Sequence, residues 1–396
     1  VVTLIFKLSQ FMSNKFQGFF IFLFLTFAPF GNNFGQSQTV AFSHGGATRN
    51  CIVYLPQGYN TSLSYPLVFN LHGLTSNAAQ QQLYSKMNII ADQYKFIVAY
   101  PNGINNSWNS GFVGAYGSGV DDVGFVSDLI DTISAMFNVN PQRVYTCGMS
   151  NGGFQSYRMA CELSHRIAAM ASVTGVLSDS TAFYCNPTRK MPVMQVHGTN
   201  DATVPYTGLP GLSLSVDGTV NFWINLLGCS TTAIETDLPN TNLTDLSTVT
   251  TYRYNNCPGG NEVLFYKVTN GGHTWPGAAI DIPGVVTNRD IDASLEIWKF
   301  FEKFTLSGPV GIENSTPLQS IQLTPNPATD FITFETKEPA KEISIYDMSG
   351  RKIADFTINN LTNQSITLPV SQLCPGNYIL AIKTTQGRSF SKFIKN

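Results

Sequence analysis

The sequence predicts an α/β protein of mainly parallel sheet, helices on both faces, followed by a small all-β sandwich. Three observations predict it. Between about residues 38 and 304, continuous apolar strand-like runs alternate with runs whose apolar residues recur at helical intervals. Beyond residue 320 the pattern changes to short alternating runs punctuated by turn residues. Charge density changes at the same place, with 14 charged residues from 321 to 396 against 34 in the first 320.

The chain opens with a phenylalanine-rich stretch. Ten of its 28 Phe fall in the first 34 residues, the run Phe19 to Phe30 is apolar but for Thr26, and Lys7 and Lys15 precede it. A short apolar core behind positive charge and before a polar segment has the build of a secretory signal peptide, expected over 1–36. A membrane span needs about 20 apolar residues, and this run is shorter.

In the next region, expected as one domain over 37–305, six runs read as buried strands. These are Leu67 to Leu71, Phe96 to Tyr100, Val144 to Cys147, Ala168 to Val173, Val193 to Val196 and Val263 to Val268. Gly124 to Phe137, Phe154 to Leu163, Thr219 to Leu227 and Ile291 to Phe304 read as helices. Unbroken apolar strands require cover on both faces, which the helices supply. A Ser, Gly, Pro and Thr-rich stretch over 306–320 reads as a linker. Residues 321–396 follow, with strand-like Phe331 to Phe334, Ile343 to Tyr346 and Tyr378 to Ile382.

Composition narrows the function. With 23 Lys and Arg against 25 Asp and Glu, the chain offers no basic face to nucleic acid. No C-x-x-C or His-x-x-x-His spacing suggests zinc, so neither metal nor cofactor is expected.

Gly148-Met149-Ser150-Asn151-Gly152 is the one Gly-x-Ser-x-Gly in the sequence, lying between a strand-like run and a helical one. That setting is a nucleophile elbow, which holds a serine in strained backbone geometry with its hydroxyl exposed. A serine needs a base, and the base needs an acid to fix its tautomer. Of five His, His273 sits on a loop directly after the strand Val263 to Val268, where a base for this elbow belongs. Asp201 follows the second strand beyond the nucleophile, whereas Asp179 follows the first, so Asp201 is the acid. The order Ser150, Asp201, His273 is that of the α/β-hydrolases. Oxyanion donors are expected from the backbone N–H of Asn151 and of Leu74, the latter in the strand-ending His72-Gly73-Leu74.

Six blocks together resemble the secreted esterase family of polyhydroxybutyrate depolymerases, feruloyl esterases and acetylxylan esterases. They are Leu71 to Leu74, Tyr100 to Gly103 with Ser107 to Asn109, Val120 to Phe125, the Ser150 elbow, Gln195 to Asp201 with Val204 to Tyr206, and Gly272 to Gly277. The resemblance implies ester hydrolysis through an acyl-enzyme and supports Ser150, Asp201 and His273 position by position. Feruloyl or acetyl esters of plant polysaccharide are the first expectation and polyhydroxybutyrate the second. A serine peptidase on the same fold and a catalytically silent polysaccharide binder are the competing readings. Pro325-Asn326-Pro327, Ile345 to Arg351 and Pro375 to Tyr378 resemble the C-terminal sorting domain of type IX (Por) secretion. That resemblance implies the type IX machinery as partner and an extracellular or cell-surface location; a monomer is expected.

Among the remaining residues, Trp275 is the better candidate than Trp108 for a wall against the substrate. Asp121 and Asp122, just before a helix, read as its cap and its macrodipole partner. Cys161 with Cys185 and Cys229 with Cys257 bracket short excursions and are plausible disulfides in an exported chain. Cys147 reads as a buried thiol, and His197 as a hydrogen-bonded structural residue.

Overall fold

Strands that are apolar on both faces must be sandwiched between helices, and a ten-stranded sheet achieves this from residue 36 onward. The computed structural model describes residues 35–112, 116, 119–309, 322–335, 340, 342–347, 352–357, 365–383 and 388–396. The expected leader therefore lies outside the described residues except for Gly35 and Gln36, and Gln36 opens the first strand.

In chain order the elements are β1 (Gln36–His44), β2 (Ala47–Leu55), β3 (Tyr65–Leu71), α1 (Ala78–Ser85), α2 (Met87–Tyr94), β4 (Ile97–Pro101), α3 (Asp122–Met136), β5 (Val139–Met149), α4 (Asn151–Glu162), β6 (Ala169–Val173), α5 (Asp179–Tyr184), β7 (Val193–Gly198), α6 (Val216–Leu227), β8 (Ile234–Asp237), β9 (Thr248–Tyr254), β10 (Val263–Thr269) and α7 (Ala293–Phe301). The strand order is β1-β2-β4-β3-β5-β6-β7-β10-β9-β8. The six central strands, β4 to β10 in that order, run parallel, and the outer pairs on each side are antiparallel.

Alternation along the strands feeds two apolar layers. Leu67, Phe69 and Leu71 of β3 face one layer, with Leu129 of α3, Phe154 of α4 and Trp223 of α6. Val68 faces the other, with Ile90 of α2 and Ile297 and Trp298 of α7. All six expected strands and all four expected helices are present. The helix expected over 291–304 is shorter, because Asp292 caps it by accepting from the Ser294 and Leu295 N–H groups and its last turn ends at Phe301.

Two disulfides tie this layer structure, Cys161 to Cys185 and Cys229 to Cys257. The first joins the end of α4 to the residue after α5, and the second joins the end of α6 to the loop after β9.

The chain continues to pack beyond residue 305. A short hairpin of β11 (Phe304–Thr305) and β12 (Gly308–Pro309) follows α7, and the Leu306 N–H donates to the Gln142 carbonyl. The remaining strands are β13 (Phe331–Glu335), β14 (Glu342–Asp347), β15 (Lys352–Thr357), β16 (Ser365–Pro369), β17 (Gly376–Lys383) and β18 (Arg388–Lys395). They form two antiparallel sheets, β13-β16 and β15-β14-β17-β18, around a core of their own that includes Ile332, Ile345, Leu380 and Phe393.

Closing a 28-residue excursion restricts the unfolded chain, so Cys229→Ser with Cys257→Ser should lower stability by about 2 to 4 kcal/mol. The denaturant midpoint of the double variant, compared with the oxidised parent, checks this.

Candidate functional site

Parallel strands deliver the loops at their carboxyl ends to one edge of the sheet. Ser150 follows β5, Asp201 follows β7 and His273 follows β10, so all three reach that edge.

Ser150 has φ 54° and ψ −121°, a conformation that costs a non-glycine residue of order 1 to 3 kcal/mol. Its N–H donates to the Val173 carbonyl of β6 at 2.9 Å, which pins the turn. Although it occupies the N-cap position of α4, its side chain makes no capping bond. The hydroxyl is thereby left for other work. The turn is possible because two backbones meet with no side chain between them. A Cβ on Gly152 would lie 2.3 Å from the Leu71 carbonyl oxygen, and one on Gly148 would lie 2.5 Å from Gly152.

The expected acid and base, Asp201 and His273, meet directly. His273 Nδ1 lies 2.7 Å from Asp201 Oδ2, so the Nδ1–H donates to the carboxylate and Nε2 keeps its lone pair. The Asp201 side chain is fully buried, and its Oδ1 accepts from the N–H groups of Thr203 and Val204 at 2.9 and 2.8 Å. Among the described residues the Ser150 hydroxyl makes no hydrogen bond to the imidazole. Such bonds are commonly long before substrate binds.

Behind Asp201 stands His197, completely buried. Gln195 Nε2 donates to the Gly175 carbonyl at 2.8 Å and to His197 Nδ1 at 3.0 Å. The proton is therefore on Nε2, which donates to the Val204 carbonyl at 2.9 Å and lies 3.4 Å from Asp201 Oδ2. Tyr157 completes the chain by donating to Gln195 Oε1 at 2.5 Å. Burial pushes the His197 pKa down to about 4, against the opposing pull of Asp201. The imidazole is neutral at neutral pH, and its contact with Asp201 is dipolar.

The expected oxyanion donors flank Ser150. Asn151 is the first residue of α4, whose leading N–H groups have no partner one turn earlier. A Cβ on Gly73 would sit 3.4 Å from Ser150 Cβ, so the strand-ending loop that carries Leu74 packs against Ser150. Among the described residues no backbone carbonyl takes the Leu74 N–H. Sequence reasoning passed over the residues that brace these donors. His72 is buried, accepts the Gly103 N–H at Nε2 (3.0 Å) and faces the Gly73 carbonyl through Nδ1 (2.8 Å). The Trp108 indole N–H donates to the His72 carbonyl at 2.9 Å, while the Asn151 side chain accepts the Trp108 N–H at 2.7 Å and donates to Ser110 Oγ at 2.9 Å. The blocks Tyr100 to Gly103 and Ser107 to Asn109 carried the signal, without a stated role.

One expectation is corrected. Trp275 does not wall the site; it is 0% exposed, belongs to the apolar layer with α7, and donates its indole N–H to Ser294 Oγ at 3.2 Å. Its position two residues from His273 suggested proximity, but the loop turns the ring inward. Asp121 is the expected cap of α3, accepting the Gly124 N–H at 2.8 Å. Asp122 does more than complement the helix, forming a buried pair with Arg49 at 2.6 Å and accepting the Asn109 N–H at 2.7 Å.

Residues 50–212 match the family model described as esterase PHB depolymerase, and residues 322–396 match that of a secretion system C-terminal sorting domain. Over residues 50–212 the chain is similar to that esterase family. A bifunctional acetylxylan esterase/xylanase of Neocallimastix patriciarum is 29% identical over 69% of this chain and 36% of its own length. Feruloyl esterase B of Piromyces equi is 31% identical over 57% of this chain and 42% of its own. An acetyl xylan esterase from Aspergillus awamori, among solved structures, aligns over 60% of this chain and 94% of its own with 18% identity and a TM-score of 0.46. The chain thus spans less than half the length of the two curated relatives. Residues 322–396, which match the sorting-domain model, mark the chain for secretion.

His197 makes the stability of this chain depend on pH. Its folded pKa lies below the ordinary 6.5, so between about pH 6.5 and 4 the unfolded chain binds a proton that the folded one refuses. The stability from this site is whole above pH 6.5 and is lost as pH falls toward 4, by at most about 1.4 kcal/mol per pH unit. His197→Gln should flatten that decline, as measured by denaturant unfolding across the range.

Proposed function

We propose that the chain is an exported serine carboxylic-ester hydrolase that works through an acyl-enzyme. The observation that carries the reading is the 2.7 Å bond between His273 and the buried Asp201, at the sheet edge where Ser150 occupies its strained turn. Ser150 Oγ attacks the ester carbonyl while His273 Nε2 takes its proton, and Asp201 stabilises the imidazolium that forms. The Leu74 and Asn151 amides receive the developing oxyanion. The ester bond to the alcohol then breaks, and the proton on Nε2 passes to the departing oxygen. Water, activated by the same imidazole, releases the acid and restores Ser150.

Feruloyl or acetyl esters of plant polysaccharide are the favoured substrates. Support comes from the relatives named for acetylxylan and feruloyl esters. The polyester reading rests on the description of the matched family model alone. Residues 37–305 with the β11–β12 hairpin form the hydrolase, and residues 321–396 the address read by type IX secretion machinery.

Ser150→Ala should lower kcat on 4-nitrophenyl acetate by about 10⁶ with little change in KM. Fluorophosphonate labelling should disappear with it. Retention of most activity would refute the assignment. Asp201→Asn should cost about 10⁴ in kcat, because the amide favours the wrong tautomer of His273.

A further inference from the structure

Two neutral side chains of β7 stand between the apolar core and the carboxylate of Asp201. Strand periodicity puts Gln195 and His197 on one face of β7, the face shared with α4 and α6. Tyr157 of α4, Gln195 and His197 are each 0% exposed, so their polar atoms must find partners inside the protein.

Only one placement of the protons satisfies the whole row. The Gly175 carbonyl can only accept, so the atom 2.8 Å from it is the Gln195 nitrogen, and Oε1 is left to the Tyr157 hydroxyl 2.5 Å away. The second hydrogen on that nitrogen meets His197 Nδ1 at 3.0 Å, where a lone pair must receive it. Nε2 then carries the imidazole proton and points between the Val204 carbonyl at 2.9 Å and Asp201 Oδ2 at 3.4 Å. A reversed row would turn a lone pair toward those two acceptors.

Oδ2 is also the oxygen that receives the His273 Nδ1–H at 2.7 Å. The positive end of the His197 N–H dipole beside it makes the carboxylate less basic, which limits how firmly Asp201 holds a proton on His273. Besides Asp201 and His273, the titratable and charged groups around His197 are Tyr157, Tyr206 and Lys267. The Tyr206 ring lies edge-on to the imidazole at 6.2 Å and gives its hydroxyl to Asp217, and Lys267, in register with His197 on β10, has its ammonium 5.8 Å from the Tyr206 ring. Burial raises the pKa of the Tyr157 phenol, which therefore stays a donor at neutral pH.

We propose that Tyr157, Gln195 and His197 are positioning residues, a fixed row of protons that turns the His197 Nε2–H toward Asp201 and thereby sets the base strength of His273. The inference rests on the esterase reading above and adds residues that act on its base from inside the core.

The chain has five His, so histidine labelled with nitrogen-15 gives a short list of ring signals to assign. In wild-type protein the His197 ring should carry its proton on Nε2. Tyr157→Phe removes only the donor to Gln195. It should lower kcat on 4-nitrophenyl acetate about three- to tenfold, the worth of one neutral hydrogen bond, with KM unchanged and rates counted per site labelled by fluorophosphonate. It should also move the acidic limb of kcat/KM upward, by up to about one pH unit, because an Asp201 relieved of the dipole holds the imidazolium more firmly. His197→Leu should do both more strongly, and His197→Gln, which keeps a donor and an acceptor, should restore most of the rate. A wild-type His197 protonated on Nδ1 would overturn the proposal, and that spectrum needs no variant to fold. So would variants that lose stability while kcat per labelled site and the acidic limb stay where they were, since the row would then only pack the core. Wild-type protein that turns over no ester and takes no fluorophosphonate would sink the esterase reading itself, wherever the His197 proton lies, and this inference with it.

Discussion

A carboxylate held away from water must be repaid with hydrogen bonds, and Asp201 is the place where that constraint acts most strongly. Its side chain has no solvent exposure and is satisfied by two loop amides on one oxygen and by His273 on the other. Those partners can converge only if the loops after β7 and β10 are neighbours, and those strands are adjacent and parallel. The same adjacency brings the Asn200 N–H to Gly271, which locks the two loops together. His197, kept neutral by burial, closes the side of the carboxylate that would otherwise face the core.

The turn at Ser150 is set by a different force. Ser150 is bent by backbone contact, since β3, the first turn of α4 and the end of β5 approach where Gly148 and Gly152 have no side chain. Hydrogen bonding on one side and steric exclusion on the other thus meet at one edge of the sheet.

This division explains what was legible in the sequence. Continuous apolar strands and a Gly-x-Ser-x-Gly between strand and helix are local signals, and they gave the central strands, α3, α4, α6 and α7 in the right order. Loop order along the chain points to Asp201 rather than Asp179, and Asp201 is the one that bonds to His273. The β1–β2 hairpin was not read, because β1 is mostly exposed and carries only a weak apolar pattern. Helices α1 and α2 are eight residues each and start from an Asn77 cap and a left-handed Lys86, signals too short to stand out. Trp275 misled because distance along the chain says nothing about which way a loop turns its ring. His72, His197 and Trp108 acquire their roles only through partners such as Gly103, Val204 and Asn151, which no spacing rule brings together.

Cysteine placement has a practical corollary. Four of the seven are bonded in pairs, Cys51 and Cys147 are buried, and Cys374 alone is exposed, on the turn ahead of β17 in the sorting module. A thiol-reactive dye applied to native protein would mark that module and spare the ten-stranded sheet and its helices. Fluorescence on an export product would then tell whether the address travels with the cargo or is cut away.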